Sequence, residues 1–205
     1  MYEYGLELSA FEGFSINAHA NGKSNEYAMY RNTIRAGAFA NAPMVAEPVS
    51  LFDSAPDGDG AAAILITRAD VAQDIVPKPI KIAGSSVATD SFMLQERADT
   101  LELHAVRSST TKAMRQANVT HDAIDLFELH DGFTILAALS LEAAGFAKRG
   151  EGWKLAQANA ISLAGSIPLS TFGGLKSRGN PAGAAGIYQA VEACLQLRGA
   201  AGANQ

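Results

Sequence analysis

Two clusters in this sequence bring together residue types that could do chemistry. The first is ELHDGFTI, Glu128 to Ile135, which carries a histidine and an aspartate at the end of an apolar run. Polar groups brought up against a core need partners there. Two readings of His130 are open. It donates a hydrogen bond to a developing oxyanion, directly or through a held water, with the N-terminus of a following helix adding its positive end; or it is a structural histidine with satisfied bonds.

The second cluster is the glycine-rich stretch FGGLKSRGNPAGAAG, Phe172 to Gly186. Gly173, Gly174, Gly179, Gly183 and Gly186 allow close backbone approach, and the helix start behind them offers free N–H groups to an anion or to a carbonyl becoming one. The alternative is glycine used for tight helix packing. Gly174 to Gly179 mimics the opening of a phosphate-binding Walker loop, but Asn180-Pro181 stands where lysine and serine or threonine belong. Nucleotide hydrolysis is therefore excluded, and Asn180 remains as a polar group at the loop tip.

Other candidates lead elsewhere. Asp57, Asp59 and Gly60 suggest a calcium loop, but Ala55 and Ile66 occupy positions that need acidic ligands, so a tight turn is the better reading. His19, His104, His121 and His130 lack metal-ligand spacing, and one cysteine cannot build a zinc site, so no metal is expected. Cys194 falls inside an apolar helical pattern and reads as a small core residue rather than a nucleophile.

These groups must be positioned by regular elements. The pattern predicts a short helix over Ser24 to Ile34, stopped by Gly37, and then a loop punctuated by Ala42-Pro43 and Glu47-Pro48. Strands are predicted over Gly60 to Thr67, buried on both faces, over Ile80 to Ala88 and over Ile124 to Leu129. Helices are predicted from about Thr110 to Ala117, from Phe133 to Ala144 with Gly145 as the stop, and from Ala184 to Leu197. Strands alternating with helices indicate an α/β layered fold, with functional groups at strand ends and helix starts.

Bulk composition narrows the classes. The chain has 205 residues, 48% hydrophobic and 18% charged, which is globular rather than disordered. A net charge of -5 and a pI near 5.3 argue against a nucleic-acid binder, since the phosphate backbone is engaged by clustered lysine and arginine. The pairs Lys148 with Arg149 and Lys176 with Arg178 read as ordinary solvated charge, or as partners for a few phosphates of a small ligand. No apolar run reaches the roughly 18 residues of a membrane span, and no signal peptide is evident. A cytoplasmic protein is the default expectation.

ELHDGFTI resembles the His-Asp-x-Phe motif of sterol-carrier-type and archaeal-type thiolases, and GGLKSRGNPAGAAG resembles the thiolase loop Gly-Gly-x-x-x-x-Gly-His-Pro-x-Gly-Ala-x-Gly. The stretch around Asn17-Ala-His19, Glu47-Pro48 and Asp59-Gly60-Ala-Ala-Ala resembles the segment joining the two halves of that fold. The resemblance implies a layered α-β-α fold, incomplete here: residues 1–88 would be the remainder of the N-terminal half with its linker, and 89–205 the C-terminal half, truncated at its end. It also implies acyl transfer on coenzyme A thioesters, with the thioester as substrate and no other cofactor, in a homo-oligomer.

Carried over residue by residue, the resemblance gives His130 an oxyanion-hole role and places Asn180 where the loop histidine belongs. Phe133, with Gly132, Gly173, Gly174 and Gly179, would line the acyl or pantetheine path. The sequence departs from the pattern in three ways: it lacks the nucleophilic cysteine, lacks the second C-terminal cysteine motif, and has an amide in place of the histidine. An amide donates hydrogen bonds but does not shuttle protons near neutral pH. Full thiolase turnover by this chain alone is not expected.

Three functions follow as expectations: a fragment or subunit of an acyltransferase completed by a cysteine-bearing half; a thiolase-fold carbon-carbon lyase of the steroid side-chain type, working with a small OB-fold partner protein and using a tyrosine such as Tyr188 as base; and a non-catalytic acyl-CoA or lipid binder.

Overall fold

The computed structural model describes residues 1–35 and 37–205. Its longest segments are helical: α1 (Glu12–Gly22), α2 (Ala69–Ile75), α3 (His104–Ala117), α4 (Thr134–Ala143), α5 (Gly152–Gln157) and α6 (Ala185–Arg198). A small antiparallel hairpin pairs β1 (Met44–Ala46) with β2 (Val49–Ser50) around the cis bond before Pro48. Three isolated bridges extend the sheet-like pairing: Ser54 with Phe133, Asp57 with Asn180, and Phe127 with Leu169.

The core gathers around α4. Its sequence TILAALSLEA is apolar nearly all round, and Ala137, Ala138 and Leu141 are buried against Phe11, Phe14, Leu129, Ile161, Ile167 and Leu169. Complete burial of Leu141 is worth roughly 2–3 kcal/mol relative to exposure. The helix ends as its sequence predicts: Gly145 takes φ 89°, and the Phe146 N–H reaches back to the Leu141 carbonyl at 2.9 Å.

Helix α1 lies against the glycine-rich turn. It is buried through polar residues as well as apolar ones, and each polar side chain finds a backbone partner. Asn17 and Asn21 both donate to the Leu169 carbonyl at 3.1 Å, and Ser15 donates to the Phe52 carbonyl at 2.6 Å. These bonds anchor the chain just upstream of the glycine stretch without leaving buried amides unsatisfied.

Several predicted elements differ. Ser24 to Ile34 forms turns, not a helix, because Asn25 accepts the Tyr27 N–H on its own side chain at 3.0 Å, a local bond that competes with helix. The backbone then pairs along the glycine turn, with Met29 N–H on the Arg178 carbonyl and Tyr30 N–H on the Ser177 carbonyl. Gly60 to Thr67 is neither a strand nor buried: no ladder partner meets it among the described residues, and Leu65 and Ile66 are exposed.

Ile80 to Ala88 is likewise unpaired as a strand and lies along α3, where Ser85 N–H bonds the Gln116 side chain at 2.9 Å. Ile124 to Leu129 keeps only one bridge among the described residues, through Phe127. A strand exists through its neighbour, so apolar patterning without a paired edge does not make one. The helices, whose bonds are local, stand where predicted: Thr110 to Ala117 is the second half of α3, Phe133 to Ala144 is α4, and Ala184 to Leu197 is α6. Cys194 is half-buried on α6.

Candidate active site

His130 stands on the loop between the Phe127 bridge and α4, with its side chain exposed. A Cβ on Gly132 would lie 2.7 Å from the His130 ring, so glycine at that position leaves the imidazole its space. The N-terminus of α4 begins at Thr134, four residues beyond the histidine. Phe133, the residue before it, is exposed.

Asn180 sits on the second loop, half-buried, and its Oδ1 accepts the Ala182 N–H at 3.3 Å. What brings the two loops together is a third segment, Asp53 to Gly58, to which the sequence reading assigned only a tight turn. On one side the Ala55 N–H donates to the Gly132 carbonyl at 2.9 Å, and the Thr134 N–H donates to the Asp53 carbonyl at 3.1 Å. On the other, the Asn180 N–H donates to the Pro56 carbonyl at 2.9 Å and the Gly58 N–H to the Asn180 carbonyl at 3.1 Å. The segment is thus a shared edge between the histidine loop and the asparagine loop.

Gly173, Gly174 and Gly179 face protein, whereas a Cβ on Gly183 or Gly186 would meet nothing within 4 Å. A Cβ on Gly173 would fall 2.8 Å from the Gly22 Cα, one on Gly174 would overlap the Asp131 carboxylate, and one on Gly179 would run into the Met29 sulfur. All three have positive φ, 105°, 52° and 111°, which also favours glycine. At these three positions the close approach is made by the chain to itself.

Beneath the loops lies a buried charged cluster. The Asp131 Oδ1 accepts the Leu175 N–H at 2.7 Å. Glu128 accepts both the backbone N–H and the hydroxyl of Thr171, at 2.8 and 2.9 Å. Arg178 lies 2.8 Å from Glu192 through its Nε, a contact close enough for an ion pair but without hydrogen-bond alignment, and its guanidinium stacks over the Tyr188 ring at 4.8 Å. The second oxygens of Glu128 and Glu192 are buried without partners.

Burial dominates the titration of these groups. It pushes Glu128 up to about 7 and, together with nearby Glu128, pushes Glu192 up to about 8. The Arg178 charge pulls the Glu192 carboxyl down, but less than burial and the neighbouring carboxyls raise it. Asp131 is raised by burial as well. Lys176, buried with its ammonium on the Asp53 carbonyl, is lowered to about 8.

Lys176 and Arg178 differ from one of the two readings their sequence offered, that of ordinary solvated charge. Both are buried, so they are not solvated surface charge, and Arg178 faces a glutamate across the cluster. Lys148 is exposed, and Arg149 on the surface binds Asp99 and Glu3. Glu128 and Asp53 lie inside stretches whose sequence assigned them no role of their own, and Glu192 was not singled out. One signal was available for Glu192: with Tyr188 and Gln196 it repeats every four residues along α6, a polar stripe on a helix that has to pack.

A cavity of about 500 Å³ opens beside the shared edge, lined by Ser54 and Pro56 from that edge and by His19, Phe52 and Lys176. His19 is lowered chiefly by its burial. Among the described residues, no group of three or more histidine, cysteine, aspartate or glutamate side chains is arranged to hold a metal ion, and no helix is long and apolar enough to cross a membrane.

Comparison with known proteins agrees with this architecture. The chain is 37% identical over 205 residues to an acetyl-CoA acetyltransferase of Methanothermobacter thermautotrophicus, matching all of itself and 54% of that protein. It is 28% identical over 210 residues to sterol carrier protein 2 of Bos taurus, again along its whole length but covering 39% of the relative. The chain thus spans about half or less of the length of the relatives it matches. Among solved structures, the Ltp2-ChsH2(DUF35) aldolase superposes with a TM-score of 0.83 at 19% identity, over 98% of this chain and 53% of that one, which establishes a thiolase-like α/β fold, incomplete in this chain. Residues 86–205 match the family described as thiolase C-terminal domain-like, and the chain belongs to that family.

Proposed function

We propose that this chain is the part of a thiolase-type acyltransferase, acting on acyl-CoA thioesters, that supplies oxyanion-stabilising groups while a cysteine elsewhere in the complete enzyme supplies the nucleophile. The observation that carries this is the shared edge from Asp53 to Gly58, hydrogen-bonded to Gly132 on one side and Asn180 on the other. It joins the backbones of the His130 and Asn180 loops through one short segment, which supports a role for both as donors to one developing negative oxygen.

In this reading His130 donates to the thioester oxygen as it gains charge, and the amide of Asn180 donates from the neighbouring loop. Phe133 is an exposed apolar surface beside them for an acyl or pantetheine chain. Gly132 keeps room for the imidazole, while Gly173, Gly174 and Gly179 shape the loop rather than touch substrate. The enzyme works as a cytoplasmic homo-oligomer with the coenzyme A thioester as substrate and no resident cofactor. The test is thiolysis of a 3-ketoacyl-CoA by this chain together with its cysteine-bearing half. Turnover that is lost on His130→Ala supports the reading, and turnover indifferent to it removes His130 from the chemistry.

Asn180 favours a second reading. Its amide cannot move a proton near neutral pH, and its Oδ1 is engaged with the Ala182 N–H. Retro-aldol cleavage of a β-hydroxyacyl-CoA needs a base and an enolate hole but no cysteine, and could recruit a small OB-fold partner. Release of a carbonyl product from such a substrate without added free coenzyme A distinguishes lyase from thiolase.

A further inference from the structure

The 500 Å³ cavity beside the shared edge falls in the size range of small-molecule sites, roughly 300–1,000 Å³. Its walls are apolar where Ile34, Leu51, Phe52 and Pro56 contribute, and its charged groups are Lys176 and Arg35. No carboxylate lines it among the described residues.

Lys176 is the unusual member. It is only 2% exposed, yet no carboxylate comes within ion-pair distance of it among the described residues. Its ammonium rests on the Asp53 carbonyl, with the Phe52 carbonyl further off at 3.5 Å. The two nearest acids are otherwise engaged: Asp53 accepts the Ser50 N–H and the Thr134 hydroxyl, and Asp131 accepts the Leu175 N–H. Both acids still offset its charge from beyond ion-pair distance, but an ammonium has three donors and the two carbonyls leave one of them unfilled. Arg35 supplies a second cation from an exposed position on the same cavity.

We propose that this cavity is a binding site for a monocarboxylic acid with a medium-length apolar chain, the carboxylate held between Lys176 and Arg35 and the chain lying against Leu51, Phe52 and Pro56. The apolar wall selects against inorganic anions, and the paired cations select against neutral molecules of the same shape. His19 closes one side: its Nδ1 is engaged with the Asn32 carbonyl at 3.0 Å and its ring lies between Tyr30 and Phe52. The site requires no catalysis, so its test stands apart from that of the acyltransferase reading.

Calorimetric titration of the chain with octanoate, 1-octanol and inorganic phosphate tests it. Octanoate is expected to bind saturably, with the alcohol and phosphate each at least about tenfold weaker, since a charge-assisted bond lost is worth about that factor. Lys176→Met and Arg35→Ala should each weaken octanoate to a similar degree. Arg35 is exposed, so its variant reports on binding even if the lysine variant unfolds. Absence of octanoate binding, equal binding of octanol, or an Arg35→Ala variant that binds octanoate as tightly as the parent would overturn the proposal.

Discussion

The Asp131 carboxylate fills the space that a Cβ at Gly174 would need, and from that position its Oδ1 accepts the Leu175 N–H at 2.7 Å. The histidine corner and the glycine turn are therefore locked to each other by one acid and one missing side chain. Gly174→Ala combines this overlap with a left-handed φ of 52°, and should destabilise the fold by at least about 2 kcal/mol. Chemical denaturation of the variant measures it; a change within experimental error would mean that the carboxylate moves aside freely.

His130 is exposed, and its replacement should separate function from stability. His130→Ala should shift unfolding by less than about 0.5 kcal/mol, as surface changes do. In the complete enzyme it should lower kcat by about 10²–10³, the loss typical of one oxyanion donor. Thermal melts and steady-state thiolysis on the same preparation decide both halves.

Asn180→His restores the residue type of the thiolase loop at a position already fixed by backbone bonds to Pro56 and Gly58. A side chain that can transfer protons contributes about 10²–10⁴ where chemistry needs one. Thiolysis by the complete enzyme should rise by at least about tenfold in this variant. A fall in thiolysis, with β-hydroxyacyl-CoA cleavage retained by the parent, would favour the lyase.

The buried carboxyls predict how stability follows pH. Glu128 and Glu192 titrate near 4.5 when unfolded, but burial moves them to about 7 and about 8 in the fold. The folded state then binds more protons across that interval, so the stability these two groups contribute is fully present below 4.5 and is lost as pH rises toward 8. Lys176, lowered from 10.5 to about 8, acts in the opposite sense above pH 8. Glu192→Gln, which faces Glu128, Asp131 and Arg178, should remove part of the fall, on the order of 2 kcal/mol. Denaturation midpoints across this pH range test it, and a variant that keeps the full slope would show that Glu192 is not the titrating group.

Local information carried far in this protein. The apolar run of α4, its stop at Gly145 and the span of α6 were all legible, because helix bonds join residues four apart and the caps are adjacent in the chain. The motifs around His130 and Asn180 carry the family resemblance in local sequence alone. Strands were not legible in the same way: Gly60 to Thr67 has the composition of a buried strand but no partner among the described residues, and pairing is a property of two segments.

What tertiary structure alone decided is how the motifs meet. Asp53 and Thr134 are 81 positions apart, and Lys176 reaches back 123 positions to the Asp53 carbonyl. No periodicity marks such contacts. A stretch read as an acidic turn became the shared edge of the candidate site, and a lysine read as surface charge or as a partner for a small ligand became a buried cation beside a cavity. Residue type and spacing determine which groups are available and which helices carry them; long-range hydrogen bonds and burial determine which of those groups stand together and in what charge state.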